Sequence, residues 1–129
     1  GSGAISGIAR EIAITANEHV NWCPYWHPNG RFMLYATSEL GHDNYEVFAI
    51  DSDPEVSIES RSRVPVTMAK GADVLPAFDP TGKWMMWTSR RQPDGEAGSS
   101  STQLWVARFN AAALEQKLMM PRDGAAASN

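Results

Sequence analysis

The sequence is poor in the residues that staple or metallate small folds. It has one cysteine, Cys23, so no internal disulfide can form and a disulfide scaffold is excluded. Histidine is scarce as well, with only His19, His27 and His42. Metal centres need such side chains clustered with Cys or carboxylates. His19 and Cys23 stand near one another, but no second pair joins them and His27 precedes a turn proline. Packing and turn hydrogen bonds are therefore the expected roles, and no metal or cofactor is expected. No apolar run approaches the ~20 residues that span a bilayer, so no membrane insertion is expected. Positive charge is in deficit: 11 Lys and Arg stand against 15 Asp and Glu, for a net charge of −4. That balance argues against nucleic acid or an anionic membrane as partner. There is no G-x-S-x-G elbow and no Gly-rich phosphate loop. No secretory signal is visible, and residues 1–10 read as a tag-derived, flexible leader.

What is present is a repeat. Asn21-Trp22-Cys23-Pro24-Tyr25-Trp26-His27-Pro28-Asn29-Gly30-Arg31-Phe32-Met33-Leu34-Tyr35 matches Asp73-Val74-Leu75-Pro76-Ala77-Phe78-Asp79-Pro80-Thr81-Gly82-Lys83-Trp84-Met85-Met86-Trp87 at a constant offset of 52. Upstream, Ile12-Ala13-Ile14-Thr15 aligns with Val64-Pro65-Val66-Thr67 at the same offset. Downstream, Glu46-Val47-Phe48-Ala49-Ile50 aligns with Gln103-Leu104-Trp105-Val106-Ala107 at an offset of 57. The extra residues fall in the Gly/Ser-rich stretch 91–101, expected to be a mobile surface loop. His27-Pro28-Asn29-Gly30 and Asp79-Pro80-Thr81-Gly82 are turn tetrapeptides. The apolar runs that follow, Phe32 to Ala36 and Trp84 to Thr88, suit strands buried on both faces. Apolar strands and turns at a period near 50 point to β-propeller blades.

The pattern resembles the TolB-type propeller repeat, a relative of WD-type blades: a Pro-x-Gly turn, a basic residue, an apolar strand, then a short aromatic strand. Both copies match it across residues 12–108. Two positions depart from the pattern. Asn29 and Thr81 stand where the turn usually has Asp, and His27 and Asp79 where a Ser usually precedes the proline. The resemblance implies an all-β fold of two four-stranded antiparallel blades, with blade 1 over residues 11–67, blade 2 over 68–109, and a helical or disordered tail over 110–129. It also suggests a bacterial periplasmic or secreted setting, without fixing one.

Two blades leave two outer faces uncovered, and Trp26, Tyr35, Trp84, Trp87 and Trp105 are then poorly shielded. A strand at 12–15 is surplus at the start, and the second blade lacks its fourth strand because 110–120 reads as a helix. The expected remedy is a homo-oligomer closed by strand exchange, with three chains giving six blades. The rival is a severed piece of a longer propeller.

Chemistry is sparse. Ser38, His42 and Asp43 fall in a polar hairpin and are expected to shape a turn rather than a hydrolase relay. Cys23 is expected to be buried and inert. Asp51, Asp53 and Glu55 fit no EF-hand and read as a solvated loop. By fold analogy, Asn21, Trp22, Tyr25, Asp73 and Val74 are placed at the channel of a propeller, where they would bind a peptide, sugar or cation. The function expected is a non-catalytic binding or scaffold module. The alternative is an accessory propeller domain, or C-terminal fragment, of a larger hydrolase or peptidase. A lyase or glycosidase site needs paired carboxylates, which this sequence hardly signals.

Overall fold

A computed structural model describes residues 6–95 and 101–118. The described chain is mostly β. Strands β1 (Asn21–Trp26), β2 (Phe32–Thr37), β3 (Glu46–Asp51) and β4 (Arg63–Pro65) form sheet 1. Strands β5 (Asp73–Phe78), β6 (Trp84–Ser89) and β7 (Gln103–Arg108) form sheet 2. Both sheets are antiparallel meanders in sequence order. A short helix, α1, covers residues 111–118. Asn110 starts it by accepting the Ala113 N–H at Oδ1, at 3.0 Å.

The repeat is visible in the backbone. Each sheet opens with a strand that carries a bulge, between Trp22 and Tyr25 in β1 and between Val74 and Ala77 in β5. At the matched positions Cys23 and Leu75 both hold φ +57°, a left-handed conformation that side chains rarely adopt. The two hairpin turns close alike. Gly30 N–H donates to His27 O at 2.9 Å, and Gly82 N–H to Asp79 O at 2.9 Å.

The sheets pack face to face. Phe32, Leu34, Val47 and Ala49 of sheet 1 lie in one buried cluster with Phe78, Met85 and Trp87 of sheet 2, and Leu118 of α1 caps it. The opposite face of sheet 1 carries Tyr35, Phe48 and Ile50, with Met33 and Ile14 packed against them. His27 is buried among aromatic rings, stacked on Phe32 at 4.8 Å and edge-on to Phe78 at 4.6 Å. Its Nδ1 accepts the Asn29 N–H at 3.1 Å and its Nε2 donates to Gly82 O at 3.0 Å, an arrangement that requires the Nε2–H tautomer.

Sheet 2 has three strands among the described residues and so lacks the fourth, as the helical reading of 110–120 requires: the chain leaves β7 directly into α1. Three expectations change. Residues 12–15 are not a strand. β4 already occupies the outer edge of β3, so this segment has no adjoining ladder, and Ile14 instead lies over sheet 1. β2 is covered on both faces, but β6 is not: Met85 and Trp87 are buried while Trp84 and Met86 are exposed. Of the aromatic residues expected to be poorly shielded, Tyr35 and Trp87 are buried and Trp26 and Trp84 are exposed. The leader 1–5, the tip of the insert at 96–100 and the tail beyond 118 lie outside the described residues.

The two turn glycines differ in their surroundings. A Cβ on Gly30 meets nothing within 4 Å, whereas one on Gly82 lies 2.6 Å from His27 Cε1 and Nε2. Gly30→Ala is expected to cost about 1–2 kcal/mol, the strain of a left-handed alanine. Gly82→Ala is expected to cost clearly more, because the His27 ring is held by two hydrogen bonds and by stacking. Urea unfolding of both variants measures the difference, and equal losses contradict the packing described.

Candidate functional site

The residues expected at a channel fall into two environments. β1 and β5 pack against each other, and the Leu75 backbone lies close enough to the Cys23 thiol to act on it. Cys23 is half-buried rather than buried, because its bulge turns it toward the surface. Burial still pushes its thiol pKa up, with the Leu75 N–H opposing. Trp22 is exposed, with its ring edge-on to Tyr45 at 5.8 Å. Tyr25 is exposed as well, and its hydroxyl donates to Phe78 O at 3.3 Å. Val74 is half-buried. Asn21 donates from Nδ2 to Asn17 Oδ1 at 2.9 Å, while its own Oδ1 is buried without a partner. Asn21 and Trp22 line a cleft of about 240 Å³ with Ile14, Met33, Tyr35 and Ile50.

Asp73 lies elsewhere in character. It is fully buried at the start of β5, where its N–H donates to Tyr45 O at 2.7 Å and its Oδ1 accepts the Trp87 indole N–H at 3.0 Å. Its carboxyl lies near that of Glu46, at the start of β3, close enough for the two to interact. Glu46 is buried too, and accepts from the Thr67 hydroxyl and, at 3.0 Å, from Ala69 N–H. Asp73 Oδ2 is buried without a hydrogen-bond partner. Burial, with the neighbouring Asp73 adding to it, raises the Glu46 pKa from 4.5 to about 7. This pair joins sheet 1 to sheet 2. Sequence reasoning missed Glu46; its one signal was an acid opening the otherwise apolar run Glu46 to Ile50.

The remaining candidates are structural. Ser38 is buried, and its Oγ accepts Val20 N–H at 2.9 Å, while His42 turns toward the Tyr45 hydroxyl at 3.4 Å. Ser38, His42 and Asp43 thus form no relay. His19 is exposed, and its backbone N–H is held by Asn17. In the acidic segment Asp51 Oδ1 accepts Asp53 N–H and Asp53 Oδ1 accepts Glu55 N–H, each at 2.9 Å. The Arg61 guanidinium fills its centre, donating to the carbonyls of Asp51, Asp53 and Val56. Among the described residues, no group of three or more His, Cys, Asp and Glu is arranged to hold a metal, and no helix is long and apolar enough to cross a membrane.

The most exposed apolar surface is the outward face of sheet 2. Leu104 is 87% exposed and Val106 60%, with Trp84 and Met86 beside them. β7 is the edge strand, and no strand among the described residues pairs with its outer side. No family model matches the chain and no similar curated protein was found.

The acid pair has a pH consequence. Between 4.5 and about 7 the unfolded chain releases the Glu46 proton while the folded chain keeps it, so folding stability falls as pH rises through that window and levels off above it. Glu46→Gln keeps the shape of the side chain without the titrating proton and is expected to flatten this slope. Urea midpoints at pH 4.5 and pH 7.5 check it, and an unchanged slope in the variant contradicts the assignment.

Proposed function

We propose that the chain is a non-catalytic binding and scaffold module of two TolB-like blades, acting through protein–protein contact. The observation that carries this reading is the open face of sheet 2. Trp84, Met86, Leu104 and Val106 form a contiguous apolar surface beside an unpaired strand edge. Such patches mark interaction sites, and a free edge adds backbone donors and acceptors for strand addition. The two carboxyls that do meet, Glu46 and Asp73, are enclosed and tied to Thr67, Ala69 and Trp87, which suits a structural joint and not a water-accessible acid–base pair. In the blade reading, Asn21, Trp22, Tyr25 and Val74 lie toward the channel, where the bulged strands present side chains and backbone for a small ligand or peptide. The same open face also favours a second reading, in which further repeats of a longer chain cover it, as in the accessory propeller of a hydrolase.

Purified protein is expected to show no saturable turnover of esters, peptides, glycosides or phosphoesters. Leu104→Asp with Val106→Asp should change stability by only about 0.5 kcal/mol, as surface substitutions do. At concentrations where both proteins are monomeric, the variant should bind an apolar dye several-fold more weakly than the parent. Turnover abolished by Asp73→Asn in a folded variant overturns the non-catalytic reading; unchanged dye binding overturns the choice of surface.

A further inference from the structure

The joint between sheets 1 and 2 is written twice in the sequence but made once within the chain. We propose that a second copy of the chain makes it the other time. Copies dock head to tail, and residues 12–15 of one add to β7 of the next as the fourth strand of its sheet 2. This rests on the binding-module reading and names its partner.

The register follows from sheet 1. There Val64 faces Ala49, Pro65 faces Phe48, Val66 N–H donates to Val47 O at 2.8 Å, and Val47 N–H donates to Thr67 Oγ1 at 2.9 Å. The repeat matches 12–15 to 64–67 and 103–107 to 46–50. Transferred, Ile12 faces Val106, Ala13 faces Trp105, Ile14 N–H meets Leu104 O, and Thr15 Oγ1 takes the Leu104 N–H. The amides of Leu104 and Val106 thus point away from β6, free for a new strand. Ala13 takes the proline position, where no N–H is required. A one-residue slip reverses every side chain, so the register is strongly specified.

The faces correspond as well. Sheet 2 exposes Trp84, Met86, Leu104 and Val106, the matches of Phe32, Leu34, Val47 and Ala49, all of which are buried against sheet 2. The surface they would meet is the outer face of sheet 1, with Met33, Tyr35, Phe48 and Ile50. These match Met85, Trp87, Trp105 and Ala107, which pack in the internal joint. That outer face holds the 240 Å³ cleft and is covered in this chain by Ile14. Moving residues 12–15 to a neighbour therefore opens the face that receives the next copy. The interface continues an established one and is heterologous, the type that closes into rings; three copies would bring six sheets together.

The polar end of the joint changes character between the two versions. Inside the chain it is the acid pair Glu46–Asp73; between copies the matched residues are Gln103 and Asn21. The buried, partnerless Oδ1 of Asn21 is an acceptor that this contact would satisfy. Two amides pair without a shared proton, so association is set to be indifferent to pH where the internal joint is not.

Complementation tests the proposal. One variant carries Ile12→Asp and Ile14→Pro, blocking the donor segment; the other carries Leu104→Asp and Val106→Asp, blocking the acceptor. By light scattering the parent is expected at about three times the 14.1 kDa chain mass, each variant at the monomer mass, and their mixture as a one-to-one dimer. Circular dichroism confirms that each variant is folded. A second, independent readout is Asn21→Asp with Gln103→Glu, which should associate at pH 5 and fall to monomer at pH 8. A monomeric parent, variants that still associate alone, or a mixture that stays monomeric overturns the proposal. A monomeric parent without turnover, whose dye binding still depends on Leu104 and Val106, leaves the binding-module reading standing, whereas turnover removes that reading whatever the mass.

Discussion

Phe32, Leu34, Val47 and Ala49 lie against Phe78, Met85 and Trp87, and this layer of apolar contact joins the two sheets. Sheet 1 is covered on both sides, by sheet 2 on one and by Ile14 on the other. Sheet 2 is covered on one side only. An antiparallel sheet with one wet face usually alternates apolar and polar side chains. β6 and β7 do not: their outward positions hold Trp84, Met86, Leu104 and Val106. The composition of those strands fits burial on both faces, and their surroundings within the chain provide it on one.

The buried acids complete the joint. Glu46 and Asp73 come from different sheets, and each is anchored by its own donors, Thr67 and Ala69 for one and Trp87 for the other. A buried polar pair of this kind fixes geometry more than it adds stability, since both carboxyls lose water on folding. Its proton ties the sheet–sheet arrangement to pH. Strands β1 and β5 carry a different constraint, because Cys23 and Leu75 hold left-handed conformations at their bulges. Strained backbone of this kind persists where the surroundings over-determine it.

Much of the fold was legible because the repeat fixed it. The Pro-x-Gly turns located the β1–β2 and β5–β6 hairpins, and the offset of 52 placed β5 from β1. The fate of residues 12–15 was not legible. Their pattern is that of a strand, but a strand needs a free edge, and pattern does not say which edges its own chain leaves open. The candidate site was legible only in part. Asn21 and Trp22 do line a cleft, yet Asp73 is buried, and its pairing with Glu46 depends on a contact between sheets that spacing does not encode. Arg61 was likewise missed, since nothing local marks a guanidinium that collects three carbonyls.

A strand and a sheet from a second copy, if received by β7 and the open face of sheet 2, would cover the outer side of β7. Amide hydrogen exchange at Leu104 and Val106, followed against chain concentration, reads this most directly. Exchange is expected to be fast in dilute solution and to slow by at least tenfold as the chain is concentrated, with the β2 amides unchanged. Exchange at Leu104 and Val106 that stays fast at every concentration would contradict it.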